Sequence, residues 1–599
     1  MICNIKRRHI GAALCLLMVT APGSADDVTA QRAIEISRKA LDQGDPVTAE
    51  IEAQNALDQG AKREDVSALL GQSEFMQGEG DKARRWLEPG KFSDQDWERG
   101  FHTLAQLELM DGNPDAAAAA FAKASEKDGG SAALWVDIGR FRYQVGEQRL
   151  ALAAARTAVK KDPEDPRALE FMGQLARDSE GLRAGLSWFE RGTELHPKDI
   201  GLLSEYASTL AELGRYKDML RVTRTILDIQ PGNPRAYLLQ AVLAARAGEN
   251  ELAQRVFWRT RNSFDNVPTG MLISGVIEQY GGNTMAAANV LENLTRLQPD
   301  NIVAHAVLGR ALMADDQTGQ LTDELGPIVH RKTASPYALT LMGRAFEQAG
   351  QRDQAAPYLD RAAGIGLAPP AMEAIDLSEQ GAVTLYRWQD EPDRPELVVP
   401  TIRQMLQNGQ AEAAFAQSKV LLQRYPDSVD MMVLAGDVAA LTGHNDQAVK
   451  LYQNAALLRF NSQLARRMSY VLVAMNKRLE AKQVLSQYLR GNPNALEAVL
   501  LLADLQMADH EWRKADLLLT YARQLAGGQR DAKLLANLSQ ARLKQGMVED
   551  AVDLATRAYH LQRSGRLPTR ALAQAMLAAG RKDEGDVLMA KYQAMMATE

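Results

Sequence analysis

The chain has 599 residues, of which 46% are apolar and 24% are charged, and its formal net charge is −7. This balance is typical of a globular protein and excludes a disordered or collagen-like chain. The acidic balance also argues against nucleic acid as the partner, because proteins that bind nucleic acid carry a basic surface that neutralises phosphates.

The first 25 residues have the order of a secretory signal peptide. Lys6, Arg7 and Arg8 precede an apolar run over residues 10–19, and small residues follow up to Ala25. The apolar run is too short to span a bilayer. We therefore expect cleavage near Ala25 and a mature chain that is periplasmic or secreted. The only cysteines, Cys3 and Cys15, lie in the segment that cleavage removes, so packing alone must hold the mature chain together.

A period of 34 residues organises the rest of the chain. In the frame that starts at residue 132, small residues stand at positions 8, 20 and 27, and proline stands at position 32, as Gly139, Ala151, Ala158 and Pro163. Small residues suit places where two helices touch closely, and proline suits a place where a helix ends. Related frames start at residues 30, 64, 98, 132, 166, 200, 234, 268, 302 and 336, and again at 395, 429, 462, 496, 532 and 566.

Each frame predicts two helices. In frame 132, Leu134, Ile138 and Phe141 keep helical spacing, Gly146 marks a turn, and residues 150–159 form a second apolar-faced segment. One such pair is too small to bury its own apolar face, so neighbouring pairs must stack. The sequence therefore predicts an all-α protein of stacked antiparallel helix pairs.

The pattern resembles tetratricopeptide repeats (TPRs), whose consensus has Gly or Ala at position 8, Ala at 20 and 27, an aromatic residue at 24 and Pro at 32. Phe121, Phe189, Phe257 and Tyr452 stand at position 24 of their frames. The resemblance implies a TPR superhelical solenoid of about sixteen helix pairs. It also implies an adaptor that binds peptides or other proteins along the concave wall formed by the first helices.

One stretch breaks the repeat. The frames divide the chain into a signal peptide (1–25), an N-terminal array of about ten repeats (26–369), an irregular joint (370–394) and a C-terminal array of about six repeats (395–599). Prolines at both ends of the break interrupt helix formation. We interpret the break as a joint, and leave open a binding role for its exposed-type residues Tyr386, Trp388 and Asp390. In frame 302, just upstream, we expect a displaced or shortened second helix.

Arginine recurs on the inferred concave face beside the break. By the resemblance, positions 2, 5, 9 and 12 of each first helix face the groove, and position 9 is Arg310, Arg344 and Arg403 in three consecutive frames. Tyr337 and Thr340 lie on the same inferred face. Guanidinium groups in a row suit an acidic peptide tail or an anionic glycan. Alternatively, Glu347 neutralises Arg344 across one helical turn.

No catalytic motif accompanies these residues. The eight histidines open no HExxH zinc motif, and the chain has no CxxC pair and no phosphate-binding loop. We expect His102 and His305 to be packing or surface residues, and we expect no enzyme activity, cofactor or metal. An exported array of this kind resembles the periplasmic repeat proteins of bacterial exopolysaccharide export.

Two functions remain. The first is a periplasmic scaffold that assembles envelope or secretion components. The alternative is a module whose concave groove binds a peptide or an anionic polysaccharide.

Overall fold

The computed structural model describes residues 24–127, 129–260, 263–299, 301–331, 334–364, 395–525 and 530–597. Within these ranges the chain forms thirty-two α-helices and no strand, and none of these helices is long and apolar enough to cross a membrane. Residues 1–23 of the predicted signal peptide and the whole predicted joint, with Tyr386, Trp388 and Asp390, lie outside the described residues.

The chain divides into two compact units, whose boundary falls between residues 138 and 139. The first unit holds six helices and the start of a seventh. They are α1 Ser24–Asp42, α2 Pro46–Asp58, α3 Arg63–Met76, α4 Gly80–Leu87, α5 Trp97–Met110, α6 Pro114–Ala124 and α7 Ala132–Gln144, which crosses the boundary.

The second unit continues the same alternation of first and second helices. Before the break it contains α8 Gln148–Lys161, α9 Pro166–Glu180, α10 Leu182–Leu195, α11 Ile200–Glu212, α12 Tyr216–Ile229, α13 Pro234–Arg246, α14 Asn250–Phe257, α15 Pro268–Tyr280, α16 Thr284–Leu297, α17 Ile302–Ala314, α18 Thr318–Val329, α19 Pro336–Gln348 and α20 Arg352–Gly364. After the break it contains α21 Pro395–Gln407, α22 Ala411–Arg424, α23 Val429–Leu441, α24 Asn445–Ala456, α25 Ser462–Ala474, α26 Arg478–Gly491, α27 Leu496–Ala508, α28 Trp512–Gln524, α29 Ala532–Leu543, α30 Val548–Leu561, α31 Arg566–Ala578 and α32 Lys582–Ala597.

The helix boundaries agree with the sequence period. Fifteen of the sixteen predicted frame starts lie within one residue of the first residue of a helix, and α1 begins six residues before its frame. The prediction of an all-α solenoid of tetratricopeptide-type helix pairs is confirmed. In frame 302, α18 has 12 residues against 14 in α8, and Leu321 at its position 20 is fully buried. The sequence did not reveal that α14 is shorter still, with 8 residues.

The recurrent small residue at position 8 makes room for the residue at position 24. A Cβ atom added to Gly173 would overlap the ring of Phe189, and one on Gly436 would lie 2.5 Å from Cε1 of Tyr452. Gly343 has the same relationship with Leu359. The first and second helices of a pair therefore approach most closely where the first has no side chain, and the residue at position 24 fills that space.

Side-chain caps fix where the first helices begin. The residue before the helix accepts a hydrogen bond from the backbone N–H two residues inside it, which satisfies one of the donors left free at a helix start. The caps of this kind on first helices of the second unit are Asp165, Asp199, Asn233, Asn301, Ser335, Ser428, Asn461 and Asp531. Because a cap recurs at the same repeat position, each of these repeats specifies the start of its own first helix.

Within the second unit, the helices after the break contact those before it at two places. At the first junction, Val429 N donates to Gln148 Oε1 (3.0 Å), Phe460 N to the Asp178 carbonyl (2.7 Å) and Asn494 Nδ2 to the Glu212 carbonyl (3.0 Å). Before the break, the bonded groups lie at or near the turns inside the helix pairs formed by α7–α12. After the break, they lie at the loops that connect one pair to the next within α22–α27.

At the second junction, the start of α31 meets α19 and α20. Ser564 N donates to Glu347 Oε1 (2.9 Å), and Arg566 N donates to Asp360 Oδ1 (2.7 Å). The Arg566 side chain forms an ion pair with the same carboxylate, with 2.9 Å between Nε and Oδ2.

Candidate functional site

The five predicted groove residues lie on three first helices of the second unit. Arg310 is on α17; Tyr337, Thr340 and Arg344 are on α19; Arg403 is on α21. The placement on first helices follows the repeat frame, so the side chains come from equivalent positions of consecutive pairs.

Arg310 lies between two tyrosines from the neighbouring pairs. Its guanidinium carbon is 4.8 Å from the ring centroid of Tyr280, which is a cation–π distance. Burial lowers the pKa of Arg310, but hydrogen bonds and charge interactions with Tyr280 and Tyr337 outweigh it and raise the pKa above its ordinary value. The two tyrosines are 46% and 47% exposed, so both rings remain available to solvent beside the cation.

Arg344 is half-buried and, within the described ranges, its side chain has no hydrogen bond or ion pair. The alternative in which Glu347 neutralises it is not seen there. Glu347 instead accepts the hydrogen bond from Ser564 N at the second junction. The charge of Arg344 is therefore not balanced by the carboxylate one turn away.

Arginines on the same face of earlier repeats are balanced by carboxylates. In the first unit, Arg38 at position 9 binds both carboxylate oxygens of Asp96, with 2.8 Å between Nη2 and Oδ2. In the second unit, Arg177 at position 12 donates from Nη1 to Glu205 Oε2 (2.8 Å). Arg310 differs, because its partners among the described residues are aromatic rings and hydroxyls rather than a carboxylate.

The remaining predicted residues contribute less. Thr340 donates its hydroxyl hydrogen to the Pro336 carbonyl of its own helix (2.7 Å), so that bond is used internally. Arg403 is half-buried, and burial lowers the pKa of its guanidinium. The structure brings Tyr337 to Arg310, and Arg403 lies on α21, beyond the break.

Sequence reasoning missed Tyr280. It stands at position 13 of frame 268, the last residue of α15, outside the four positions assigned to the groove. The sequence feature that could have identified Tyr280 is an aromatic residue at the end of a first helix, followed in the next frame by arginine at position 9. We define the arginine face as Tyr280, Arg310, Tyr337 and Arg344.

His305, expected to be a packing or surface residue, is held by local partners. Nδ1 lies 2.5 Å from Glu324 Oε1, and Nε2 lies 2.8 Å from the Pro299 carbonyl oxygen. The hydrogen bond with Glu324 raises the pKa of His305. Across the described ranges no group of three or more His, Cys, Asp or Glu side chains is arranged to hold a metal ion.

Comparisons with known proteins agree with the repeat type. A family model described as a tetratricopeptide repeat matches residues 108–175. Over 153 residues the chain is 28% identical to Tetratricopeptide repeat protein 37 of Xenopus laevis, covering 25% of this chain and 10% of that protein. Over 509 residues it is 20% identical to Protein CTR9 homolog of Arabidopsis thaliana, covering 74% and 43%. The chain thus spans less than half the length of each of these two curated relatives.

Among solved structures, a chain of the APC/C hetero-tetramer Cut9-Hcn1 aligns with 91% of this chain and 96% of its own length. The TM-score is 0.35 and the sequence identity is 14%.

Proposed function

We propose that this protein is a non-enzymatic scaffold that binds acidic segments of other proteins on its arginine face. Proteins built of tetratricopeptide repeats generally mediate protein–protein interactions, and stacked pairs present equivalent first helices side by side. The proposal assigns the binding to Arg310 and Arg344, with Tyr280 and Tyr337 beside them.

This proposal rests on the observation that neither arginine is paired with a carboxylate of the described residues. Arg344 has no partner, and Arg310 has no carboxylate, among the described residues, whereas Arg38 and Arg177 are paired with carboxylates. A guanidinium group pairs with a carboxylate through two parallel hydrogen bonds, and these are among the stronger polar contacts in proteins. Half-exposed tyrosines next to the cations add contact area of the kind that dominates protein interfaces.

A peptide titration tests the proposal. A fluorescent glutamate-rich peptide with a free C-terminal carboxylate is titrated with the protein and with the variant Arg310→Met/Arg344→Met. We expect the double variant to bind about tenfold more weakly or worse, since it loses two charge-assisted contacts. The matched control is Arg183→Met/Arg224→Met, which removes two exposed arginines of the second helices α10 and α12. Equal losses in the two double variants would refute the assignment.

We further propose that the scaffold works in the periplasm, in an envelope complex for exopolysaccharide biosynthesis or export. Support comes from the signal-peptide order of residues 1–25, from the absence of cysteine after residue 15, and from the architectural resemblance described above. The mass of the native protein tests cleavage near Ala25, and fractionation tests the compartment. Deleting the gene and measuring secreted polymer tests the pathway; unchanged polymer would exclude it.

A second candidate is a module that binds an anionic polysaccharide. The observation in its favour is the pair of half-exposed tyrosine rings on either side of Arg310, since aromatic rings stack on sugars while the cation pairs with their carboxylates. Titration with an oligomer of a uronic acid, against a neutral oligosaccharide of equal length, separates this candidate from the peptide scaffold.

A further inference from the structure

Both junctions within residues 139–597 contain hydrogen bonds and an ion pair, which at the first junction joins Arg149 to Asp427 with 3.2 Å between Nε and Oδ1. At the first junction the backbones themselves touch: Gly181 and Gly491 face each other with no side chain between them, and Leu152 packs against the apolar core of residues 398–505. At the second junction, carboxylates from α19 and α20 receive the start of α31.

The second junction is chemically complementary. The first N–H groups of a helix have no partner inside the helix, and the helix start carries partial positive charge. Glu347 and Asp360 supply carboxylate oxygens to the N–H groups of Ser564 and Arg566, at or just before the first residue of α31. Asp360 also pairs with the Arg566 guanidinium. Three favourable interactions therefore depend on only two carboxylates.

Within the described ranges, the stretch of repeats between the junctions has no hydrogen bond or ion pair with the returning helices. Among the described residues, no hydrogen bond or ion pair joins 234–331 to 395–597. The chain after the break is thus attached near Glu212 and again near Glu347, and spans the repeats in between. Those spanned repeats include Tyr280 and Arg310. Glu347 lies on α19, one turn after Arg344.

We propose that the second junction is a releasable latch that controls access to the arginine face, while the first junction remains closed. When the latch is shut, α31 is held on α19 and α20 beside Arg344. When it opens, the last helices move away and an acidic partner reaches the arginine face from that side. The gating rests on the proposed binding function, but the latch itself does not.

The first junction has backbone and apolar packing in addition to its hydrogen bonds and its ion pair, and this explains why the second junction opens first. Ion pairs and charge-assisted hydrogen bonds near the surface are weakened by salt and contribute modestly, because water competes for the same groups. Backbone packing and apolar contact at the first junction have no such competitor and weaken little with ionic strength.

Amide hydrogen exchange tests the latch directly. In Glu347→Ala/Asp360→Ala the acceptors are removed, so we expect the amides of Ser564 and Arg566 to exchange about tenfold faster or more, with exchange around Val429 and Phe460 unchanged. The matched control Glu251→Ala/Asp353→Ala removes two exposed carboxylates of α14 and α20 that, among the described residues, form no hydrogen bond or ion pair with a helix after the break. Unchanged exchange at 564 and 566, or equal acceleration in the control, would overturn the latch.

A reversible crosslink tests the gating. In a protein with Cys3 and Cys15 replaced by Ser, Asp360→Cys and Arg566→Cys are the only thiols and are joined by a reducible bifunctional reagent. We expect the locked form to bind the glutamate-rich peptide several-fold more weakly than the same protein after reduction. Equal binding by the two forms would overturn the gating. Absence of binding in both would refute the proposed function and the gating with it, while the exchange measurement still decides the latch.

Discussion

Gly181 and Gly491, which are 310 positions apart in the chain, pack backbone against backbone at the first junction. A Cβ atom on Gly181 would lie 2.8 Å from Cα of Gly491, and one on Gly491 would overlap the carbonyl oxygen of Glu180. Asn492 completes the contact, because its Oδ1 accepts a hydrogen bond from Leu182 N (3.4 Å). Since two glycines meet where no other residue fits, the packing of the two arrays is specific.

Gly491→Ala should therefore destabilise the protein. Gly491 is the last residue of α26 and has no positive φ, so alanine would otherwise be favourable there. The overlap with a backbone atom cannot be relieved by rotating a side chain, and we expect a loss of about 1–3 kcal/mol in the free energy of unfolding. The control is Gly326→Ala in α18, where a Cβ atom meets nothing within 4 Å. Urea unfolding of both variants checks this, and a neutral Gly491→Ala would contradict the contact.

Two glycines at the same repeat position should respond differently to alanine. At Gly436 the added Cβ would meet Cε1 of Tyr452 at 2.5 Å, and that ring is fully buried and fixed by its hydroxyl, which donates to Asp437 Oδ1 (2.6 Å). At Gly309 the Cβ would meet the end of the Leu325 side chain at 2.9 Å, which can rotate away. We expect Gly436→Ala to cost about 2 kcal/mol and Gly309→Ala less than about 1 kcal/mol. Thermal unfolding of the two variants gives the comparison, and equal costs would argue against a fixed ring.

The contact between His305 and Glu324 should make stability depend on pH. The hydrogen bond with Glu324 raises the pKa of His305, and although burial lowers it, the Pro299 carbonyl and the charge of Glu324 add to the rise. Arg331 acts in the opposite direction. A histidine whose pKa is raised by folding stabilises the protein fully below its unfolded pKa of about 6.5, and this contribution is lost as the pH rises through the folded value.

The thermal midpoint measured between pH 5.5 and 9 checks this. We expect His305→Gln and Glu324→Gln to lower the midpoint more at pH 5.5 than at pH 9. The control is His196→Gln, whose histidine contacts a backbone carbonyl rather than a carboxylate. A loss that is the same at every pH would contradict the ionised pair.

Arg344 and Arg177 should differ in what they contribute to stability. Arg177 donates to Glu205, a carboxylate that is only 12% exposed, so Arg177→Met leaves a largely buried charge without its partner. We expect it to cost about 1–3 kcal/mol. Arg344→Met should change the free energy of unfolding by less than about 0.5 kcal/mol, because no described residue pairs with that side chain. Urea unfolding measures both. A large cost at Arg344 would show that it serves the fold, not a ligand.

The helix pairs were predictable because the residues that determine each pair lie within the same repeat. The glycine at position 8, the residue at position 24 that fills its space, and the cap before the first helix all act within one pair, so a single period in the sequence locates them. Asp165 and Gly173 illustrate this, since each contacts residues of its own pair.

The junctions and the arginine face were predictable only in part. The period assigned Arg310, Arg344 and Tyr337 to one inferred face, but it does not say which arginine is already paired, because Asp96 and Glu205 come from other positions in the repeat. The second junction joins Glu347 to Ser564, two unremarkable residues with no shared pattern. Sequence reasoning offered Glu347 only as an alternative partner for Arg344, because a spacing of one helical turn is visible in a sequence and a contact across 217 residues is not.

The latch also fixes an order of events during synthesis. Helix pairs contact neighbours about 34 residues away and can assemble while the chain is still growing. The bonds of the latch span 217 and 206 residues, so they form only after residues 564 and 566 have been made. Each new molecule therefore passes through a stage in which α19 and α20 are complete and uncovered. A partner that binds at this stage meets α19 and α20 before α31 is held on them.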